Sequence, residues 1–179
     1  MTLYSAITLD HDLPRNKARA KAYRAYLQSV AEYLPPATKD FALGDWYYAD
    51  PDRCPDDAWV ESVESAQEAS GQRMEIREAM ICVRLLASSH RGQIYFRYAG
   101  VTNYELNSGN ILSQQTRLGR GMKHEDWLAD QITLGERGEV EHEILFSSGV
   151  IWRIQAKGSS YEYKAFGEET PVPQGLSFE

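Results

Sequence analysis

The chain is poor in cysteine and in long apolar runs, and it carries no catalytic signature motif. Two cysteines among 179 residues are too few for a disulfide framework or a zinc site built from CxxC pairs. A mean hydropathy of -0.51 and the lack of any long uncharged stretch predict no contact with a membrane. Neither a phosphate-binding glycine motif, nor HExxH, nor a GxSxG elbow is present. We therefore predict no cofactor, no metal site and no catalytic residue that the sequence can name.

Positive charge is also scarce. Nineteen Lys and Arg residues stand against 26 Asp and Glu residues, for a net charge of -7. A chain of this sign repels an extended polyanion, so we expect no nucleic-acid partner. Residues 1–9 show neither the basic start nor the apolar stretch of a signal peptide, which favours a cytoplasmic location.

The length and composition are those of a globular chain. Hydrophobic residues make up 42% and charged residues 25%, which is too apolar for intrinsic disorder. We predict one domain over 1–179, composed of a helix and loop region (1–57), an antiparallel β region (58–166) and a surface tail (167–179).

A single segment, 13–34, has helical periodicity. Tyr23, Tyr26, Leu27 and Val30 recur at steps of three or four, and Pro35 with Pro36 ends the pattern. The acidic, aromatic stretch 37–57 is interpreted as a loop that packs through its aromatic side chains.

From residue 58 onward, β-branched and aromatic residues form short runs between turn residues. The runs predict seven strands at 58–64, 75–87, 93–106, 130–134, 139–146, 150–156 and 161–166. Turn residues at 147–149 and at 157–160 predict that the last three strands form an antiparallel meander. The apolar alternation of the third run changes phase at Gly100, which indicates a bulge there. The predicted fold class is α+β, an N-terminal helix on a mainly antiparallel sheet that is either open or a partly closed barrel.

In the strand predicted at 139–146, alternation separates a solvent-facing row of side chains from a buried row. Glu139, Glu141 and Glu143 share one face of their strand, whereas His142 falls on the apolar face and is expected to be a hydrogen-bonded core residue. We therefore take the three glutamates as candidate binding residues on an acidic sheet face.

The predicted helix begins with an unusual concentration of cations. Arg15, Arg19 and Arg24, with two lysines between them, lie where the helix dipole favours acids. The arrangement is either a solvated face or a contact with an acidic surface, on the same chain or on a second copy. These three arginines are the other candidate binding residues.

Three stretches carry a resemblance to known proteins. Residues 57–63 (DAWVESV), 98–104 (YAGVTNY) and 142–146 running into 149–152 (HEILF and GVIW) resemble a group of small uncharacterised bacterial antiparallel-sheet proteins. That group is similar to immunity proteins of bacterial toxin systems. Its opening motif has a histidine where this chain has Asp56, so no role for that histidine carries over. The resemblance spans about 56–166 and implies a binding module.

Three functions stay open at this point. The first is a cytosolic, non-enzymatic interaction protein, immunity-like in kind, that holds an unknown protein partner through its acidic sheet face. The second is a small hydrolase or lyase that uses carboxylates with His142 or His90 for acid–base chemistry. The third is a homo-oligomeric structural protein.

Overall fold

A computed structural model of the chain describes residues 13–107 and 126–167, with only the backbone described for 13–19 and for Tyr48. The helical elements are α1 (Leu13–Val30), α2 (Pro36–Ala42) and a short 3-10 helix (Asp45–Tyr48). The strands are β1 (Trp59–Ser70), β2 (Ile76–Leu86), β3 (Gly92–Leu106), β4 (Trp127–Leu134), β5 (Val140–Phe146) and β6 (Ile151–Ala165). The predicted surface tail lies almost wholly outside the described residues.

The six strands form one antiparallel sheet in the order β1-β2-β3-β6-β5-β4. Two meanders, β1-β2-β3 and β4-β5-β6, are joined along the long β3–β6 pair. The prediction of an α+β fold is confirmed, and the sheet is open rather than a closed barrel. At one corner its two edges meet, because the Asp57 N–H donates to the Trp127 carbonyl (2.8 Å) and the Trp127 N–H donates to the Ala58 carbonyl (3.0 Å).

The N-terminal region differs from the prediction in one respect. Helix α1 ends at Val30, and Pro36 then starts α2, since proline is well suited to a first helical turn. The stretch that was interpreted as a loop therefore contains α2 and the 3-10 helix. The predicted packing through aromatic residues is confirmed, because Phe41 and Tyr47 are both 1% exposed.

The prediction of two strands at 150–156 and 161–166 is wrong. Residues 157–160 continue β6 instead of forming a turn, since β3 pairs with β6 along its whole length. Gly158 lies under Pro35, at a distance where a side-chain Cβ would touch that ring at 3.4 Å. The glycine thus lies within a paired strand beneath the helical layer rather than in a hairpin.

The predicted bulge in β3 is confirmed. Gly100 has φ +61, a left-handed conformation that favours glycine, and the pairing with β6 shifts between Val101 and Asn103. The predicted turn at 147–149 is confirmed as well, with Gly149 at φ +82.

The core lies between the helices and the inner face of the sheet. Phe96 of β3 is at its centre, stacked on Trp127 (centroids 5.1 Å apart) and in edge contact with Phe41 of α2. Thr38 of α2 fastens the layers together, because its hydroxyl accepts from the Ser159 N–H (3.0 Å) and donates to the Ser159 carbonyl (2.9 Å). The buried hydroxyls of Thr38 and Ser159 are also 3.1 Å apart, so both are hydrogen-bonded.

The two edge strands are finished differently. Helix α1 runs along β4, where the Ile132 N–H donates to the Tyr23 hydroxyl (2.5 Å) and the Leu134 N–H donates to the Tyr26 hydroxyl (2.9 Å). Along β1, by contrast, no backbone group of the described residues bonds to the outer side of the strand. One edge is therefore covered by side chains and the other is open.

A helix that crosses a membrane must be both long and apolar. None of the helices within 13–107 and 126–167 meets both requirements.

Candidate functional site

His142 lies inside the core, as its strand parity predicts, and both of its ring nitrogens are engaged. The Tyr98 hydroxyl is 2.7 Å from Nδ1, and a carboxylate oxygen of Asp130 is 3.0 Å from Nε2. Burial raises the pKa of Tyr98 well above its usual range, so the phenol stays protonated and donates. Nδ1 is then the acceptor, and Nε2 carries the proton that is donated to Asp130.

Asp130 is the acceptor at the centre of this network. Besides the imidazole, Oδ2 accepts from the Tyr47 hydroxyl (2.8 Å), and Oδ1 lies 3.4 Å from the indole nitrogen of Trp127. The network joins β3, β4 and β5 to the 3-10 helix. Because a buried carboxylate is costly without donors, these three donors explain why an acid is tolerated in the core.

The network is enclosed. The side chains of His142 and Asp130 are 0% and 5% exposed, and Tyr98 is 0% exposed. A general acid or base must reach the proton that it transfers, directly or through one water. The arrangement can orient core strands, but it offers no imidazole to a substrate.

A small cleft of about 180 Å³ lies on the solvent side of Asp130. Cys54 and Asp56 are among its lining residues. Burial is the main cause that raises the pKa of Cys54, and the carboxylates of Asp56 and Asp130 act in the same direction. Burial likewise raises the pKa of Asp56, together with repulsion from Asp57 and Asp130. A thiol in this environment stays protonated, which disfavours nucleophilic catalysis.

The other histidine of the acid–base hypothesis lies elsewhere. His90 is exposed in the turn between β2 and β3, at φ +57, with its ring 4.9 Å from that of Trp59. Its partner is thus an aromatic ring of β1. Within the described residues, no three His, Cys, Asp or Glu side chains are grouped so as to hold a metal ion.

Two of the three predicted acidic residues share one surface feature. Glu139 and Glu141 line an open depression of about 660 Å³ beside the β4–β5 turn, which we call the acidic depression. Arg137 and Lys157 also lie on its wall, so its charge is mixed at the rim.

Glu143 points to the same outer face but has its own cation. Its carboxylate accepts from Arg153 Nε at 2.8 Å, and Arg153 also contacts Glu105 at 3.3 Å. The charge of Glu143 is therefore largely offset within the chain. The outer face as a whole alternates acids and bases, as the Arg97–Glu162 pair at 2.7 Å also shows.

Most of the basic residues at the start of α1 have side chains outside the part of the chain that the structure describes. The side chains of Arg15 and Arg19 are outside the described residues. Arg24 is exposed and forms an ion pair with Asp45 of the 3-10 helix. Arg24 therefore fits the interpretation in which these cations contact an acidic group of the same chain.

An aromatic cleft of about 540 Å³ was not predicted. Trp46, Tyr161 and Tyr163 form its walls, and the Arg53 guanidinium lies 3.9 Å from the centre of the Trp46 ring. The Tyr161 hydroxyl donates to the Arg53 carbonyl, and burial raises the pKa of Tyr161 strongly. The aromatic cluster at 46–48 is the sequence signal for this cleft, but the residues of β6 that complete it are over 100 positions away.

Comparison with known proteins adds no relative. The chain matches no protein-family model, no curated protein and no solved structure, so the resemblance to immunity-like proteins stays a prediction.

Proposed function

We propose that this protein is a non-enzymatic binding module that holds a partner with a cationic surface through the outer face of its sheet. The acidic depression is the centre of that contact, with Glu139 and Glu141 as the carboxylates that meet the partner and Arg137 and Lys157 at its rim. In the immunity-like form of the proposal, the module covers the cationic working surface of its partner.

The enclosure of the His142 network carries the proposal. The imidazole of His142, which meets a carboxylate and a phenol, has no exposed surface, and its hydrogen bonds are satisfied within the core. Groups that could perform acid–base chemistry therefore serve packing, whereas the acids of β5 face outward. A surface of this kind is suited to recognition.

Charge supports the same interpretation. A net charge of -7 creates a field that speeds encounter with a cationic partner and weakens as salt is added. Glu143 contributes less than its two neighbours because Arg153 offsets it. We therefore assign the recognition to Glu139 and Glu141 in particular.

The experiment compares two variants that remove the same charge. E139Q/E141Q neutralises the acidic depression, and E32Q/D40N neutralises two exposed acids on the helical layer. Immobilised proteins are exposed to an extract of the native host at about 50 mM and at about 300 mM salt. The electrostatic screening length is longer than its physiological value at the lower concentration and shorter at the higher one. Retained proteins are identified, purified and measured singly for their association rates.

We expect a basic protein to be retained at low salt by the native chain and by E32Q/D40N, and to associate more slowly with E139Q/E141Q. Retention that is equal for all three proteins, or the absence of any basic protein, would contradict the proposal.

A further inference from the structure

We propose that the open edge of β1 is a second contact for the same partner, where an extended basic segment of that partner adds to the sheet as a seventh strand. The inference rests on the proposed function in one point, that the partner is positively charged. It uses other residues, on the edge strand β1, whereas the acidic depression is lined by β3, β5, β6 and the β4–β5 turn.

The first observation is the state of the backbone. Alternate N–H and C=O groups of an edge strand point away from the sheet and are free to pair with another chain. β1 is 12 residues long, and in the described part of the chain only β2 is hydrogen-bonded to its backbone. The edge at β4 shows how this fold closes an edge, with two tyrosine hydroxyls on the backbone. No described side chain does the same along β1.

The second observation is the exposure of the hairpin that β1 shares with β2. Residues 64–68 and 70–77 are all exposed, because β3 pairs with β2 only from Met80 to Leu86. The hairpin thus projects past the core as a two-stranded ribbon. Met74 (55% exposed) and Ile76 (52% exposed) lie near its tip. Two isolated strands are marginal in water, and a third strand adds the pairing that the ribbon lacks.

The third observation is the charge along this edge. Glu64 lies opposite Cys82 and Glu68 opposite Glu78, so both glutamates face the outer side, with Ala66 between them. Glu78 has Lys157 as its ion-pair partner, whereas no described cation lies within ion-pair distance of Glu64 or Glu68. The two carboxylates are four residues apart, about 13 Å along a strand.

This pattern identifies the occupant. A strand with cations four residues apart and an apolar residue midway would place each cation beside a glutamate and the apolar side chain beside Ala66. A second copy of β1 does not fit, because the strand has three glutamates, no lysine and no arginine, and would oppose like charges. The segment therefore comes from a basic partner.

The test uses two heptapeptides of identical composition as probes. The matched peptide reads threonine-lysine-threonine-valine-threonine-lysine-threonine, with both lysines on one face of a strand. The control exchanges its fifth and sixth residues, which sends the second lysine to the other face. Binding is followed by NMR shifts and hydrogen exchange of the β1 amides in the full chain.

We expect the matched peptide to bind about three- to tenfold more tightly than the control, with slowed exchange confined to alternate β1 amides. E64K/E68K should reverse the preference in favour of a matched peptide with glutamate at both lysine positions. The milder E64Q/E68Q should abolish the preference, which keeps the test valid if the charge reversal disturbs folding.

Equal affinity for the two lysine peptides, or binding without protection of β1, would overturn the inference. Formation of a β1-paired dimer in sedimentation would also overturn it, since a second copy would then occupy the edge. E139Q/E141Q should leave peptide affinity unchanged. Peptide binding therefore tests the edge of β1 alone, whereas the partner binding of E139Q/E141Q tests the proposed function. One can fail without the other.

Discussion

Strand β4 ends the sheet under the tyrosines of α1, whereas β1 ends it with an unpartnered backbone among the described residues. On its inner side β4 is further held by Asp130, which bonds to the 3-10 helix and to β5. β1, at the other edge of the sheet, carries the exposed glutamates Glu64 and Glu68. This fold thus protects one edge of its sheet with side chains, and among the described residues it leaves β1 without that protection.

The largest effect is expected when β4 loses its inner anchor. Asp130→Ala removes the acceptor of Tyr47 and His142 and leaves both donors buried, at a cost of about 3–5 kcal/mol in the free energy of unfolding. Urea denaturation measures this loss. Asp40→Ala, which deletes an exposed acid, is the control and should change stability by less than about 0.5 kcal/mol.

A smaller effect is expected when the outer cover of β4 is removed. Y23F/Y26F deletes the two hydroxyls that accept from Ile132 and Leu134, and should cost about 2 kcal/mol in total. The amides of these two residues should also exchange faster. Tyr33→Phe makes the same chemical change at a side chain that is 74% exposed and should leave both measurements unaltered.

Alkaline pH tests the network that anchors the covered side. The folded pKa of Tyr98 is raised, so its contribution is fully present below the pKa of an unfolded tyrosine, near 10, and is lost as pH rises toward the folded value. Above about pH 10 the free energy of unfolding should fall by about 1.4 kcal/mol per pH unit for this residue. Tyr98→Phe should lower stability at neutral pH and make the alkaline slope shallower. An unchanged slope would show that Tyr98 ionises alike in both states.

The smallest effect is expected at the open edge. E64Q/E68Q should change the free energy of unfolding by less than about 0.5 kcal/mol per site, because neither carboxylate has a described ion-pair partner. A loss similar to that of Y23F/Y26F would mean that β1 is held by these side chains, and would remove the contrast between the edges.

Strand alternation and turn residues predicted much of the sheet. The parity that sent His142 inward and Glu143 outward is correct, because a strand alternates faces regardless of what surrounds it. The pair formed by Glu143 and Arg153 was also within reach, since a hairpin centred on Ser148 places both residues five positions from the turn. The pairing register of this hairpin therefore predicts that Arg153 offsets part of the charge of Glu143.

Other features depend on contacts that local patterns do not contain. Tyr98 meets His142 from 44 residues away, and only the β3–β6 pairing brings their strands together. Residues 157–160 have the composition of a turn, but their pairing with β3 keeps them extended. Helix α2 spans seven residues, too few to display a period. Only at 157–160 does tertiary pairing override local propensity.

The corner where Asp57 and Ala58 bond to Trp127 has a consequence for the order of folding. Each meander is built from neighbouring hairpins and can form early, but this corner joins residues about 70 positions apart and has to wait until β3 and β6 have paired. We therefore expect this corner to form last and to open first. Its release would let the two halves swing apart about the β3–β6 seam while each keeps its own hairpins.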